Sequence, residues 1–528
     1  MNIPSYIQRG LLAAGLIFPI SSLHAQQVKL GTPDYVKHKM PTTDIRSSPG
    51  VLGDHYYVIY RDFGAAFDVK KDVETYIKDY SIKRGHLTKS IYLNPVVDPE
   101  AKRLLINQVY LWKGRFLALF TEKNATGREF SINARLVDLN GKALGSSELL
   151  GFYPQVARPG GLSGVIFPKG RSTLAPTPTF GLLSAFSSDS SSLAILAVAK
   201  GEKTQASLLI VDPELHVVDK LACNFAIDEN EFQMLQFRRY RSGPMYVLIR
   251  EGKTLNRKHA IYDLFRIDTR THRTSRIPIK VPEEIILDAR FCFDAQGNVM
   301  VTGCYTHKHG HGKLTATHGV FAVRVSGSNG LVMGTEASPF PADLVRSLRS
   351  RSAAAKGKGL DEIIEMRKAL PVPGGGIVAM GQVHYNSMSA QGRTGALNQY
   401  AEEFGDVIYY GISPEGKILW SGGVERTERN PIMMTATGPI YLGSAPGRAL
   451  VLYDAEKKEN HSRPAVYQEL YEEGRTGKTG SALIPWPRHN KSRIIWSTAV
   501  PLDEHHVVAA YYSLSDKAMG MVTITVAE

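Results

Sequence analysis

Short apolar runs separated by tight turns fill most of the chain. Within residues 289–334, apolar segments flank two turns, at 294–298 and 326–330. Gly297 adopts positive φ easily, and Asp294 can hydrogen-bond its own backbone, so the chain can reverse there. The flanking runs are β-branched and aromatic, and they are too short for helices. The pattern predicts four short antiparallel strands that form one small sheet.

Hairpins of the same outline recur along the chain. The first hairpin of each unit is predicted at 51–62, 109–122, 184–200, 235–251, 289–305, 367–383, 432–445 and 497–513. One small sheet cannot bury both of its faces, so such units must pack against each other. We therefore predict an all-β fold, an eight-bladed β-propeller of four-stranded antiparallel blades, as a single domain over residues 26–528. Seven blades with one irregular hairpin is the alternative.

Two β-sandwiches in series would also give many short strands. No linker rich in Pro, Gly or Ser divides this chain into halves. The last unit offers only one further strand, 519–528, so we expect a segment within 27–37 to complete its blade. Closure by N- and C-terminal strands would remove the open edge of the ring.

Two turns carry a resemblance to known propellers. The segment Ser413-Pro-Glu-Gly-Lys-Ile-Leu-Trp420 resembles the Asp-box, the turn between third and fourth strands in sialidase-type propellers, with Glu415 in place of the aspartate. The turn 138–142 is similar to those of quinoprotein-type and other bacterial repeat propellers. The resemblance is to exported bacterial propellers as an architecture, and it implies a structural role for both turns. The sialidase arginine triad has no matching positions, so no specific family follows.

Residues 1–25 have the pattern of a signal peptide. Arg9 precedes the apolar run 10–18, and residues 21–25 lead to a cleavage site before Gln26. The run is shorter than the roughly 20 residues that a membrane span needs. We therefore expect export to the periplasm or the medium, with no transmembrane span in the mature chain.

The net charge indicates the class of partner, and the cysteine positions indicate whether a disulfide can form. The 63 Lys and Arg exceed the 50 Asp and Glu by 13, which in an exported protein favours anionic polysaccharide or lipid headgroups over nucleic acid. Of the three cysteines, Cys223, Cys292 and Cys304, the last two share a predicted hairpin. The turn places Cys292 opposite Met300, about four positions from Cys304, so no disulfide is expected between them.

The longest predicted loops gather on one face of the propeller, where binding residues usually lie. Our candidate binding residues there are His307, His309, His311, His384, Arg346, Arg349 and Arg351. Alternate histidines in an extended segment point the same way about 6.5 Å apart, so His307, His309 and His311 are the only candidate metal ligands. A flexible polar loop is the alternative, and no cofactor is expected.

The three arginines belong to a predicted helix within 341–355. Its apolar residues, Leu344, Val345 and Leu348, share one side. The basic side would suit an anionic partner, and a solvated lid held by the apolar side is the alternative.

No assembled catalytic motif is present in the sequence. We predict a monomeric binding module that recognises a protein or glycan through the long-loop face. A carbohydrate-active hydrolase or lyase is the alternative, and it would require carboxylates, histidines or a tyrosine to converge at the mouth of the central channel. Fold alone cannot choose, because propellers host both functions.

Overall fold

The fold is described from a computed structural model of the 528-residue chain. The described residues are 27–35, 43–62, 74–99, 105–123, 129–154, 181–187, 189–199, 205–225, 227, 232–241, 243–252, 260–307, 316–349, 359–360, 363–372, 376–389, 399–424, 428–431, 441–445, 448–456, 462–472, 475–476, 480–483, 492–503, 505–513 and 518–525. The predicted signal peptide lies outside them. No helix in these ranges is long and apolar enough to cross a membrane.

Strands dominate the described chain, with two short helices. Two strands near the N-terminus are β1 (Gln27–Leu30) and β2 (Asp34–Tyr35). Sheet 1 contains β3 (Thr43–Leu52), β4 (His55–Asp62), β5 (Glu74–Ser81) and β6 (His86–Tyr92), and sheet 2 contains β7 (Leu105–Trp112), β8 (Arg115–Lys123), β9 (Glu129–Val137) and β10 (Ala143–Pro154). Sheet 3 contains β11 (Gly181–Phe186), β12 (Leu193–Ala199), β13 (Gln205–Val211) and β14 (Val217–Asn224). Sheet 4 contains β15 (Phe232–Arg239), β16 (Met245–Glu251), β17 (Ile261–Asp268) and β18 (Arg273–Ile279).

The second half of the chain follows the same order. Sheet 5 contains β19 (Glu284–Phe293), β20 (Val299–His307), β21 (Gly319–Val325) and β22 (Val332–Pro339), and sheet 6 contains β23 (Ile364–Pro371), β24 (Ile377–Ser389), β25 (Gln399–Ile412), β26 (Ile418–Val424) and β27 (Glu428–Pro431). Sheet 7 contains β28 (Tyr441–Ala445), β29 (Arg448–Glu456), β30 (Ser462–Glu472), β31 (Arg475–Thr476) and β32 (Gly480–Leu483), and sheet 8 contains β33 (Ser492–Pro501), β34 (His506–Ser513) and β35 (Ala518–Thr525). The helices are α1 (Asn94–Val97) and α2 (Ala342–Leu348).

The all-β propeller predicted from the sequence is confirmed. In each sheet the main strands pair antiparallel in chain order, whereas the short strands β27 and β32 pair with β25 and β30. The first strand of one sheet contacts the first strand of a neighbour along much of the ring, as β15 contacts β11 and β19. Apolar side chains from facing sheets form the cores between them; Phe225, Phe237 and Phe265, for example, share one cluster. Packing between sheets therefore buries the apolar faces that a single sheet would leave exposed.

Seven of the sheets, 1 to 6 and 8, are regular blades with described, packed side chains, and this number matches the seven-bladed alternative. Sheet 7 is irregular, and only its backbone is described. The two short strands β31 and β32 pair with β30 where a continuous fourth strand would lie. Its first strand contacts β23 and β33, so sheet 7 lies between sheets 6 and 8. Eight equal blades were expected, but glycines at 474, 477 and 480 disfavour a continuous outer strand here.

The hairpin predicted at 432–445 differs from the pairing of its described part, and residues 432–440 lie outside the described residues. Tyr441–Ala445 pairs with Arg448–Glu456, so the chain reverses between these two strands. The intervening sequence is Pro446-Gly447, a dipeptide that favours turns. The first hairpin of this unit therefore begins and ends later than its apolar pattern indicated.

Closure of the ring follows the prediction. β1 pairs antiparallel with β35, with Gln27 opposite Thr525 and Leu30 opposite Val522. β2 pairs with the beginning of the same strand. The segment after the predicted cleavage site thus supplies the outer strand of sheet 8, and β35 has a partner on both edges.

Aspartates stabilise the turns as the sequence indicated. In the turn of sheet 5, Asp294 Oδ1 accepts hydrogen bonds from the backbone N–H groups of Gln296 and Asn298, at 2.9 and 2.8 Å, and Gly297 has φ +85°. Asp138 accepts the N–H groups of Asn140 and Lys142 in the same way. These carboxylates accept backbone N–H groups that have no carbonyl partner in a tight turn, which explains why aspartate recurs in the turns.

The predicted hairpin register around the cysteines is confirmed, because Cys292 pairs with Met300 and Cys304 with Asp288. All three cysteines are buried free thiols. Burial raises the pKa of Cys292 to about 12. The thiols therefore contribute to the core as small apolar groups.

A bulge near the middle of several inner strands links neighbouring blades. In β15 the pairing with β16 slips between Met234 and Gln236. The Gln236 side chain then donates to the carbonyl of Phe291 and accepts its N–H, both at 2.8 Å, across to β19. Asp288 follows a similar slip in β19 and accepts the N–H of Met366, at 2.8 Å, on β23. The bulges thus direct polar side chains to the backbone of the next inner strand.

Candidate functional site

The two faces of the propeller differ in their connections. The loop face carries the connections from second to third strands and from one sheet to the next. The turn face carries the short connections from first to second and from third to fourth strands, such as the turns at Asp294 and Asp138. Of the candidate residues of the sequence analysis, His307, Arg346 and Arg349 lie at strand ends or connections of the loop face.

His307 ends β20 on the loop face and has two close neighbours. Its Nδ1 lies 3.0 Å from the carboxylate of Glu284, at the start of β19. Its ring centroid lies 4.2 Å from that of His318, whose Nδ1 lies 3.0 Å from Thr306 Oγ1. Burial, then the neighbouring His307 and Arg349, lowers the pKa of His318. The structure therefore joins His307 to a carboxylate and a second imidazole that the sequence analysis did not group with it.

A metal centre does not follow from this arrangement. The Nδ1 atoms of both imidazoles already have protein partners. No group of three or more His, Cys, Asp or Glu side chains in the described ranges is placed to hold a metal ion. His309 and His311, the other two predicted ligands, lie outside the described residues.

The predicted helix is present as α2 in the connection from sheet 5 to sheet 6, with Pro341 at its N-cap. Leu344 and Val345 are buried, as the apolar pattern indicated. Arg346 is exposed, whereas Arg349 donates through Nη1 to the carbonyl of Gly359 at 2.5 Å. Arg351 lies outside the described residues. Of the two described arginines, one thus fixes the connection and the other remains available at the surface.

His384 does not lie in a loop. It is part of β24, opposite Phe404 of β25, because these two strands extend well beyond the regular blade. The segment that was predicted as a loop from His384 onward therefore begins as a hairpin. The backbone alone is described here.

A carboxyl pair on the loop face escaped the sequence analysis. Glu122 lies near the end of β8, and Asp98 directly follows α1. Burial, then a hydrogen bond with Asp98 and its charge, raises the pKa of Glu122 to about 7. Below this pH Glu122 is mostly protonated and can donate a hydrogen bond to Asp98. Asp98 lies in the connection from sheet 1 to sheet 2, and Glu122 lies 24 positions later in sheet 2, so no local motif marks the pair.

A cavity of about 900 Å³ opens at the turn face, where the inner strands of sheets 3 to 6 end. We call it the turn-face cavity. It is lined by Ser184, Ala185, Phe186, Gln236, Phe237, Arg238, Arg239, Tyr240, Cys292, Phe293, Asp294, Ala295, Pro371 and Val372. The sequence analysis placed its candidate site at the opposite face, because long loops are visible in sequence and the convergence of strand ends is not.

Basic groups dominate the charge at this cavity. The neighbouring Lys368 lies on β23, and burial, then the charge of Arg238, lowers its pKa. Burial likewise lowers the pKa of Arg238, while interaction with Cys292 raises it. The positive charge of Arg238 is therefore close enough to affect a second partly buried cation.

The turn that resembles an Asp-box connects β25 and β26, the third and fourth strands of sheet 6, as the resemblance implied. The carbonyl of Ser413 accepts the N–H of Gly416 at 3.0 Å, and its hydroxyl accepts that of Lys417 at 3.2 Å. Trp420 is buried and lies against Gly411, where a Cβ would come within 2.4 Å of its ring. The motif is structural here too.

Comparison with known proteins adds little beyond the fold. No protein-family model matches the chain, and no curated protein is similar to it in sequence. Among solved structures, it is similar to the polysaccharide lyase Uly1, at 10% identity over 82% of this chain and 91% of that chain, with a TM-score of 0.39. The propeller domain of the Trilobed protease from Pyrococcus furiosus matches at 11% identity over 83% of this chain and 97% of that chain, with a TM-score of 0.35. At these values the matches identify neither a family nor a ligand.

Proposed function

We propose that this chain is a binding module that recognises an anionic glycan through its loop face, with an anionic protein as the alternative ligand. The proposal rests on the way α2 packs against the propeller. Leu344 and Leu348 lie directly over Gly423 of β26, where a Cβ would come within 2.7 and 2.6 Å of their methyl groups. The helix is thus held against the rim of sheet 6 by close apolar packing.

The opposite side of the helix faces solvent. Arg346 is exposed there, and the hydrogen bond from Arg349 to Gly359 fixes the end of the helix. A cation on a fixed support loses little conformational freedom when it binds a charged partner. The formal charge of +13 adds attraction for polyanions at long range.

The carboxyl pair Asp98 and Glu122 does not have the arrangement of a glycosidase pair. Glycosidases hold their two carboxyls roughly 5 to 9.5 Å apart, so that a sugar or a water fits between them. Asp98 and Glu122 are instead hydrogen-bonded to each other. Their contact leaves no space for a substrate between them.

The experiment is a binding assay with the mature chain on immobilised polygalacturonate, with neutral dextran as the reference polymer. We expect Arg346→Glu to weaken polygalacturonate binding roughly two- to fivefold, the effect of one exposed charge. Arg270→Glu makes the same charge change in the exposed third-to-fourth-strand turn of sheet 4, on the turn face, and should have a smaller effect. Equal losses in both variants, or no preference over dextran, would contradict the proposal.

A further inference from the structure

We propose that the turn-face cavity binds a small organic oxyanion, a carboxylate or a phosphate group on a compact body, and that Arg238 is its principal ligand. This site lies on the face opposite to that of the glycan proposal and is independent of it.

The cavity has the size and lining of a small-molecule site. Its volume of about 900 Å³ falls within the range of roughly 300–1,000 Å³ for ligand pockets. Phe186, Tyr240 and Phe293 contribute aromatic surface to its walls. The rings of Tyr240 and Phe293 lie 5.3 Å apart, and the Tyr240 hydroxyl donates to the carbonyl of Ala295 at 2.9 Å, which fixes this wall. Such walls suit the apolar or sugar portion of a ligand.

The other charged groups of the cavity wall have protein partners. Asp294 accepts two backbone N–H groups and the side-chain amide of Asn298, so its carboxylate belongs to the turn. Arg239 donates through Nη1 to Ser192 Oγ at 2.6 Å and interacts with the charges of Asp189 and Asp219. The Asp294 carboxylate and the Arg239 guanidinium therefore already have partners within the protein.

Arg238 differs from them. It lines the cavity and is only partly exposed, and within the described part of the chain its guanidinium has neither a hydrogen-bond acceptor nor a carboxylate partner. A partly buried guanidinium is unfavourable unless an acceptor or an anion compensates it.

The chemistry of the guanidinium indicates the class of ligand. Its planar N–H groups form two parallel hydrogen bonds with a carboxylate or a phosphate. A ligand with an oxyanion and a compact body would thus match both the guanidinium and the aromatic walls.

The test is calorimetric titration of the mature chain with glucuronate and, separately, inorganic phosphate, with glucose as the uncharged reference. We expect saturable binding of at least one anion and none of glucose. Arg238→Gln should weaken binding at least tenfold. Arg239→Gln is the matched control, because that guanidinium is bonded to Ser192, and it should change affinity less than twofold. Thermal unfolding of each variant would establish that it folds.

The outcomes separate the sources of the ligand and the two proposals. Tighter binding of glucuronate indicates a sugar acid, and tighter binding of phosphate indicates a phosphate ester. Failure of both anions to bind saturably, or equal losses in the Arg238 and Arg239 variants, would overturn the site. Arg346→Glu on the loop face should leave small-anion binding unchanged, so either proposal can fail without the other.

Discussion

Asp34, in the closing strand β2, forms an ion pair with Lys78, in the third strand of sheet 1. Lys78 is only 7% exposed, and its ammonium lies 5.0 Å from the centre of the Tyr60 ring. Since β2 pairs with β35 of sheet 8, this pair connects the closing segment to the neighbouring blade. The closure thus depends on a side-chain contact between two sheets as well as on strand pairing.

We expect Asp34→Ala to lower the free energy of unfolding by about 2–3 kcal/mol, because it leaves a buried ammonium without its carboxylate. Urea unfolding measures the change. Asp34→Ala combined with Lys78→Met should recover part of the loss, since no charge then remains buried. A double variant no more stable than Asp34→Ala would show that the strand contact, and not the ion pair, carries the effect.

Gly31 makes the closest backbone approach of the closing segment. A Cβ at this position would lie 2.3 Å from the carbonyl oxygen of Gly85 in the β5–β6 turn of sheet 1, and the N–H of Thr32 donates to the same oxygen at 2.5 Å. We expect Gly31→Ala to cost about 1–3 kcal/mol by forcing these backbones apart.

The matched control is Gly334→Ala in β22, where nothing lies within 4 Å of an added Cβ. Thermal unfolding compares the two variants, and limited proteolysis tests whether Gly31→Ala releases the N-terminal segment. Equal stability of the two variants would contradict the close approach.

Glu122 should make stability depend on pH. Its folded-state pKa is raised to about 7 from 4.5, first by burial and then by Asp98. The raised pKa stabilises the folded protein fully below pH 4.5, and this contribution is lost as pH rises through about 7. Because Glu122 is partly exposed, we expect an effect of only about 1 kcal/mol after solvent screening.

Glu122→Gln keeps a neutral hydrogen-bonding group at all pH values. The difference in unfolding free energy between the variant and the natural chain should therefore increase in favour of the variant between pH 4.5 and 7. Glu336→Gln, at an exposed position in β22, serves as the control and should show a flatter difference. Parallel pH profiles for the two variants would contradict the assignment of a raised pKa to Glu122.

Local features of the fold were predictable because turn chemistry is local. Asp294 and Gly297 act within five residues of each other, and their pattern predicted the hairpin and the pairing of Cys292 with Met300 correctly. The closing strand was predictable because the second half of the last unit offers only one strand. A four-stranded blade therefore needs one more strand from elsewhere in the chain. The first hairpin of sheet 7 was misplaced because its prediction followed the apolar pattern and not the Pro446-Gly447 dipeptide, which lies at the actual turn.

The sites were harder to predict from the sequence, because their residues come from different strands and meet only in the folded chain. Arg238, Cys292 and Pro371 line one cavity but lie on three different inner strands. Glu284 and His318 flank His307 only after β19, β20 and β21 pair. The pattern of one strand cannot indicate which polar residue of another blade it will meet. Loop length directed the analysis to the loop face, and the cavity lies on the other one.

The pairing of β1 with β35 also has a consequence for folding kinetics. It joins residues almost 500 positions apart, so this contact forms only when the first and last strands of the domain are both available. Contacts between such distant residues form slowly, because the chain must lose entropy before it gains their energy. Blades stabilised by near-neighbour hairpins can form earlier, and completion of sheet 8 would then be the late, concerted step. Destabilising Gly31 or Asp34 should accordingly accelerate unfolding more than it slows folding.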